Sequence, residues 1–175
     1  MTVTVIAMHT RRLLPGGRSF FLFGPRGTGK TTWLRAQFPR ARWFDLASEP
    51  ELVRLLRSLE SLTQEIEALP RSSWVVIDEI QRLPALLNQV QDIIARHGDR
   101  YRFALTGSSA RRLRRENAKL LPGRLVNRHF YPLTISELGD RVVPPNDLVA
   151  FGMLPAVRPA RNERDRRDLL ERLRR

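Results

Sequence analysis

The strongest constraint on the fold of this chain is a glycine-rich segment between an apolar run and an amphipathic stretch. Residues 24–31 read GPRGTGKT, which fits the GxxxxGK(S/T) pattern of a phosphate-binding loop. The apolar run at 19–23 predicts a buried strand, and apolar residues spaced three to four apart in 32–38 predict a helix. The pattern therefore lies between a strand and a helix, as a phosphate-binding loop requires.

The loop residues predict a site for a nucleoside triphosphate. Glycines let successive backbone amides face one concavity at the start of a helix, which favours a polyphosphate. Lys30 is expected at the β- and γ-phosphates, Thr31 at Mg²⁺, and Thr32 at the α-phosphate. The nine residues predicted to bind nucleotide are consecutive: Gly24, Pro25, Arg26, Gly27, Thr28, Gly29, Lys30, Thr31 and Thr32.

A second apolar run ends in two acids. Residues 74–79 read WVVIDE, and a continuous Val/Ile run is typical of a strand buried on both faces of a parallel sheet. Acids at its carboxyl end emerge where ligands bind in open α/β sheets. We expect Asp78 to hold the Mg²⁺ shell and Glu79 to orient or polarise the attacking water.

A third buried strand is predicted at 101–106, where the sequence YRFALT ends in a polar residue. Thr106, or alternatively Ser108, could contact the γ-phosphate or the water. An equally simple interpretation is that Thr106 ends the strand and a serine caps a helix starting at Ala110. The residues alone leave both interpretations open.

These segments together resemble a known family. The runs LFGPRGTGKTT, RWFDL, WVVIDEIQRLP, FALTGSSARRLRR, LLPGR and RHFYPLTISEL look like the AAA-type ATPase domain of a large bacterial and archaeal group, over residues 12–157. Members of that group usually carry a further C-terminal domain. The resemblance implies a three-layer α/β/α P-loop fold with a central parallel sheet of order 5-1-4-3-2. It also implies ATP with Mg²⁺, and arginine-mediated contact between domains or subunits.

The resemblance also implies roles for single residues. Thr106 is similar to the sensor position, and Arg124 matches an arginine that serves as an arginine finger or a sensor. Thr31 and Asp78 are the implied metal-binding pair. The implied catalytic group consists of four residues: Glu79, Lys30, Thr106 and Arg124.

Composition bounds the partners. The 31 basic residues exceed the 18 acidic ones by 13, which attracts polyanions such as nucleic acid or the nucleotide itself. A cluster of Arg111, Arg112, Arg114 and Arg115 indicates a phosphate-backbone contact, a subunit interface or a solvated helix face. Cysteine is absent, which excludes disulfides and cysteine-based metal sites. No run of about 18 apolar residues indicates a membrane helix, so a cytoplasmic protein is expected.

The remaining pattern predicts alternating strands and helices, which is typical of a parallel sheet covered on both faces. Further strands are expected at 41–46 and 126–131. One helix is expected to begin near Pro50, with Ser48 as its cap, and another to cover 84–96. We expect a P-loop ATPase domain at 12–140, and a linker and helical tail at 141–175 as the start of a truncated second region.

Three functions fit these predictions. The first is Mg²⁺-dependent ATP hydrolysis to ADP and phosphate that drives or switches an attached domain, a protein partner or a second copy. The second is a nucleotide-gated binding module with little turnover. The third is a nucleic-acid-associated ATPase that uses the arginine cluster; its signature would be a steep salt dependence of binding.

Overall fold

The computed structural model describes residues 11–108, 123–138, 144–157 and 162–174. Strands and helices alternate along most of this chain, as the sequence pattern predicts. The strands are β1 Phe20–Phe23, β2 Arg42–Asp45, β3 Ser73–Asp78, β4 Tyr101–Gly107 and β5 Val126–His129. The α-helices are α1 Lys30–Gln37, α2 Glu49–Arg57, α3 Glu60–Glu67, α4 Leu86–His97, α5 Pro145–Phe151 and α6 Glu163–Arg174. Short 3-10 turns cover Ile80–Arg82, Gly98–Arg100 and Ile135–Glu137.

The five strands form one parallel sheet in the order β2-β3-β4-β1-β5, which confirms the predicted order 5-1-4-3-2 read from the other edge. The last residue of β1, Phe23, pairs with Gly107 of β4 and with His129 of β5. Asp45 of β2 pairs with Asp78 of β3. All strands therefore end at one edge, and the loops that follow them meet there.

Helices cover both faces of the sheet, because every side chain of β1 is buried and successive side chains point to opposite faces. Phe20 and Leu22 pack with Trp33 and Leu34 of α1. Phe21 and Phe23 belong to the larger cluster that includes residues of α2, α3 and α4. These two clusters make the three-layer α/β/α architecture that the resemblance implies.

Local details differ from the sequence predictions in small ways. Ser48 occupies the cap position of α2, but its side chain makes no capping hydrogen bond. In the 3-10 turn at Ile135–Glu137, Thr134 and Glu137 form a reciprocal capping box. The predicted arginine cluster at 111–115 lies outside the described residues, as do Ser109 and Ala110. None of the described helices is long and apolar enough to cross a membrane.

The C-terminal elements pack on the domain rather than extending from it. The backbone N–H of Leu133 donates to the carbonyl of Met153, and that of Ala156 donates to the carbonyl of Gly27 in the loop after β1. Arg166 of α6 pairs with Asp147 of α5 at 2.9 Å. Residues 144–157 and α6 therefore lie against the edge of the sheet where the strands end.

Candidate active site

A cavity of about 820 Å³ lies at the edge of the sheet where the strands end. The loop after β1, the start of α1, the turn after β3 and the C-terminal segment contribute its walls. Its lining consists of Arg26, Gly27, Gly29, Lys30, Thr31, Thr32, Ala47, Glu79, Gln81, Arg82, Pro155 and Ala156. The two motifs found in the sequence thus meet at one cavity.

The loop that follows β1 depends on its glycines. Gly27 and Gly29 adopt φ angles of 78° and 87°, in the left-handed region that side chains disfavour. A Cβ on Gly24 would lie 2.1 Å from the carbonyl oxygen of Phe130, so a side chain cannot fit between the loop and the end of β5. The glycine spacing of the motif therefore corresponds to backbone requirements of this fold.

Lys30 lies inside the loop rather than in solvent. Its ammonium group donates to the carbonyls of Gly24 at 2.7 Å and Pro25 at 3.0 Å. Burial lowers the pKa of Lys30; the charges of Glu79 and Asp78 oppose this effect in part, and Arg26 adds to it. The lysine is thereby held at the cavity wall with a partly desolvated charge.

Asp78, at the end of β3, connects this strand to α1 and to β4 through two hydrogen bonds. Its Oδ2 accepts a hydrogen bond of 2.6 Å from the hydroxyl of Thr31, and its Oδ1 accepts one from the hydroxyl of Thr106. Asp78 and Thr106 are buried, and neither belongs to the cavity lining. Thr106 therefore supports the acidic residues from behind the cavity wall instead of facing into it.

Glu79 faces the cavity from a strained backbone. Its φ of 59° and ψ of 46° are left-handed, which is unusual for a residue other than glycine and concentrates at functional sites. The backbone N–H of Glu79 donates to Thr106 Oγ1 at 2.9 Å, so the threonine holds this turn. The strained turn directs Glu79 out of β3 at the point where the cavity begins.

Two residues of the 3-10 turn after β3 also line the cavity, although the sequence analysis did not select them. Gln81 donates a hydrogen bond to the carboxylate of Glu79, and its Oε1 is buried without a partner among the described residues. Arg82 binds the carbonyls of Leu46 and Ala47 and pairs with Glu49. Their position two and three residues after Glu79 was the available signal, but periodicity did not distinguish them from solvated residues.

The other predicted residues fall into two groups. Arg26 and Thr32 line the cavity, and the buried hydroxyl of Thr28 donates to the carbonyl of Pro25 at 2.9 Å. Arg124 instead precedes β5, at the end of the sheet where the strands begin, and donates there to the carbonyl of Gln91. Arg124 and the loop lie at opposite ends of the strands. They are therefore separated by at least the length of the four-residue strand β1, which is about 13 Å.

The donors present fit a magnesium-bound nucleotide. Mg²⁺ is usually held by one or two protein oxygens together with phosphates and waters. Thr31 and Asp78 supply a hydroxyl and a carboxylate, and Lys30 and Arg26 supply positive charge beside them. Within the described residues no group of three or more His, Cys, Asp or Glu could hold a metal by itself. Phosphate oxygens and waters would supply the remaining ligands of a cation at this position.

Comparison with solved structures finds partial similarity to longer proteins. Similar structures include Cdc6p from Pyrobaculum aerophilum (19% identity, TM-score 0.47, covering 69% of this chain and 40% of that one). A Thermotoga maritima RuvB variant shows 22% identity and a TM-score of 0.45 over 69% of this chain and 40% of its own. C. elegans PCH-2 shows 20% identity and a TM-score of 0.41 over 67% of this chain and 36% of its own. The chain thus spans less than half the length of each.

Sequence comparison assigns the family. No curated protein is significantly similar to this chain. The sequence model of the AAA domain, however, matches residues 17–139, which is well over half of the chain and contains the loop, the acidic strand and β4. On this match, the chain belongs to the AAA domain family of P-loop ATPases.

Proposed function

We propose that this chain binds ATP with Mg²⁺ at the cavity and hydrolyses it to ADP and phosphate. One observation carries the proposal: Lys30, Thr31 and Glu79 line a single cavity, although they come from two motifs almost fifty residues apart. The family supports nucleotide binding and ATPase activity in general.

The chain's own groups would bind the phosphates. The N–H groups of the glycine loop and of the first turn of α1 would donate to the phosphate oxygens, and the helix dipole favours negative charge there. Lys30 would leave one or both of its loop carbonyls to donate to the β- and γ-phosphates. Arg26 adds positive charge at the mouth of the same cavity. Thr32, in the first turn of α1, would reach the α-phosphate.

Thr31 would bind the magnesium ion at the cavity, and the carboxylate of Asp78, buried just behind it, would hold the magnesium shell. Asp78 accepts the hydroxyl hydrogen of Thr31, so the lone pairs of the Thr31 oxygen remain available to a cation. When bound, Mg²⁺ would neutralise charge on the β- and γ-phosphates. Thr106 would keep the Asp78 carboxylate in position through its own hydrogen bond.

Glu79 would orient and polarise the attacking water. It faces the cavity, and the hydrogen bond from Gln81 orients its carboxylate. The cation of Lys30 would offset the negative charge that develops on the transferring phosphoryl group. Thr106 would act through Asp78 and Glu79, since its hydroxyl is engaged with them.

Arg124 would act on a neighbouring molecule. It lies at the end of the sheet opposite the cavity, so it could serve as an arginine finger only for the cavity of a second copy or another domain.

Residues 12–140 would form the ATPase domain. Residues 141–175 would transmit the nucleotide state to an attached region or a protein partner, because their described part contacts the loop. A cytoplasmic location fits a protein that uses ATP.

The proposal is tested by measuring phosphate release and nucleotide affinity of the purified chain with Mg²⁺. Glu79→Gln is expected to retain ATP binding and to lose turnover by about 100-fold or more, the usual contribution of a general base. Glu60→Gln, an exposed acid of α3, is the control and should behave like the unaltered chain. ATP binding without phosphate release would favour the nucleotide-gated module, and absence of nucleotide binding would overturn the proposal.

A further inference from the structure

The side chain of Arg11 is largely buried and contacts the phosphate-binding loop, and the residue lies outside the segment matched by the family model. Its side chain is only 8% exposed, and its guanidinium group lies 4.1 Å from the centre of the Phe130 ring. It forms an ion pair of 3.3 Å with Glu137, whose side chain is 6% exposed. An arginine desolvated to this degree keeps its place only if its charge is compensated.

Glu137 is itself held in one position. Its Oε1 accepts the backbone N–H of Arg12 at 2.9 Å, and its Oε2 accepts that of Thr134 at 3.0 Å. Burial alone would raise the pKa of Glu137, but these hydrogen bonds and the charge of Arg11 outweigh it and lower the pKa. The carboxylate is therefore a rigid, charged support for the guanidinium group.

The supported guanidinium binds two backbone carbonyls, and one of them belongs to the loop. It donates to the carbonyl of Tyr131 and, at 3.4 Å, to that of Thr28. In a trans peptide the C=O and the following N–H point in opposite directions. With the Thr28 carbonyl turned toward Arg11, the N–H of Gly29 points to the other side of the loop. Gly29 is part of the cavity lining.

A glycine at position 29 restricts the orientation of the Thr28–Gly29 peptide less than any other residue would. Gly29 has φ 87°, and a Cβ placed on it would meet nothing within 4 Å, so no neighbouring group presses on its Cα from that side. A rotated peptide would present a carbonyl oxygen to the cavity in place of an N–H, and that oxygen would repel a phosphate. The preceding peptide is held in the same way, because the carbonyl of Gly27 accepts the N–H of Ala156.

We infer that Arg11, oriented by Glu137, is a positioning residue for the triphosphate site. It holds the Thr28–Gly29 peptide with its N–H directed at the phosphates, so that the loop needs no rearrangement when nucleotide binds. This inference rests on the proposed function, because it assigns Arg11 a part in ATP binding. Arg11 touches neither nucleotide nor metal in this arrangement and acts only through the loop.

The test compares Arg11→Gln with a matched control, Arg128→Gln. Arg128 is also an arginine stacked on a core ring, 5.0 Å from the centre of Phe20, and it also binds a carbonyl of the N-terminal segment, that of Leu14. Arg128 makes no described contact with the loop. The KM for ATP and the Kd for ADP are expected to rise about tenfold in Arg11→Gln, with kcat little changed. Both constants should remain close to those of the unaltered chain in Arg128→Gln.

A spectroscopic signature separates positioning from general destabilisation. The amide resonance of Gly29 should be a single sharp peak in the unaltered chain and in Arg128→Gln. In Arg11→Gln it should be broadened or doubled by peptide rotation. If Arg11→Gln does not fold, Glu137→Gln and the conservative Arg11→Lys serve instead. Glu137→Gln should weaken ADP binding in the same direction, and Arg11→Lys should restore part of the affinity.

The outcomes are distinguishable. If the unaltered chain binds no nucleotide, the proposed function fails. If it binds nucleotide and Arg11→Gln matches Arg128→Gln in affinity and in the Gly29 resonance, the inference about Arg11 is overturned while the proposed function stands. A tenfold loss with an altered Gly29 resonance supports the positioning role.

Discussion

Thr31 donates a hydrogen bond of 2.6 Å from its hydroxyl to Oδ2 of Asp78. This contact joins the start of α1 to the end of β3, across 47 residues of sequence. It also sets the relative position of the two groups that we propose to hold magnesium. The protein thus orients the hydroxyl by its own hydrogen bond, with the oxygen lone pairs left for a cation.

Thr31→Ala should weaken nucleotide binding mainly when magnesium is present. The substitution removes the proposed hydroxyl ligand, so the Kd for Mg-ADP is expected to rise about tenfold, while the Kd measured in EDTA changes little. Thr32→Ala is the contrast, because a proposed α-phosphate contact should be lost equally with and without the metal. Titration calorimetry in both buffers measures the four values. Equal losses in Thr31→Ala would remove that residue from the metal site.

Lys30→Ala should abolish nucleotide binding. Loss of a buried ammonium that pairs with phosphate removes about 2–5 kcal/mol of binding free energy. Lys30→Met retains the apolar stem and should show the same loss, which separates charge from packing. Arg35→Ala removes a cation from the same helix, one that stacks on Trp43 at 4.3 Å, and should bind normally. Normal ATP affinity in Lys30→Met would contradict the role of the charge.

Thr106→Val should destabilise the fold. Valine keeps the shape but leaves Oδ1 of Asp78 and the N–H of Glu79 without their partner, and an unsatisfied buried group costs about 1–3 kcal/mol. Thr63→Val is the matched control, since the Thr63 hydroxyl makes only a half-buried bond with Gln89. Urea unfolding measures both. A stability equal to that of Thr63→Val would mean that the Thr106 hydroxyl does not support the acids.

Gly27→Ala should detach α6 from the loop. A Cβ on Gly27 would lie 2.9 Å from Leu173 and 3.1 Å from Ala156, in addition to the strain of its positive φ. Gly29→Ala carries a similar backbone strain, about 1–2 kcal/mol, but meets no neighbour. Amide hydrogen exchange in residues 163–174 should therefore accelerate in Gly27→Ala and not in Gly29→Ala. Equal protection of α6 in the two variants would show that the helix does not depend on this contact.

Glu65 should make stability depend on pH. Burial tends to raise its pKa, but hydrogen bonds and charge from Arg42 and Arg54 outweigh this and lower the pKa below its ordinary value of 4.5. The unfolded chain therefore takes up the proton more readily, and the stabilisation is present above about pH 4.5 and is lost as the pH falls below it.

Glu65→Gln is expected to cost about 1 kcal/mol at neutral pH and less under acidic conditions. Urea unfolding of the unaltered chain and of Glu65→Gln, from neutral pH to below pH 4.5, measures the difference in their free energies of unfolding. A difference that stays constant, or grows, as the pH falls would contradict the assignment of the ion pairs to Glu65.

Much of the candidate site could be predicted from local sequence. The strand–loop–helix around Lys30 and the acids at the end of β3 are continuous segments. The spacing of residues within each segment is enough to predict the loop and the acidic strand end. The strand order was available only from the family resemblance, because periodicity says which segments are strands but not which lie side by side. Gln81 was missed because one polar residue after an acidic strand end looks the same whether it faces a cavity or solvent.

The amino-acid sequence by itself determined the phosphate-binding loop, the acidic strand end and the α/β class, since these follow from glycine conformation and side-chain periodicity over short spans. Only the tertiary structure decided that Arg11 and Ala156, far apart in the chain, bind neighbouring carbonyls of one loop. It also decided that Arg124 lies at the far edge of the sheet. Such contacts depend on how the sheet brings distant segments together, and no local pattern of residues encodes that distance.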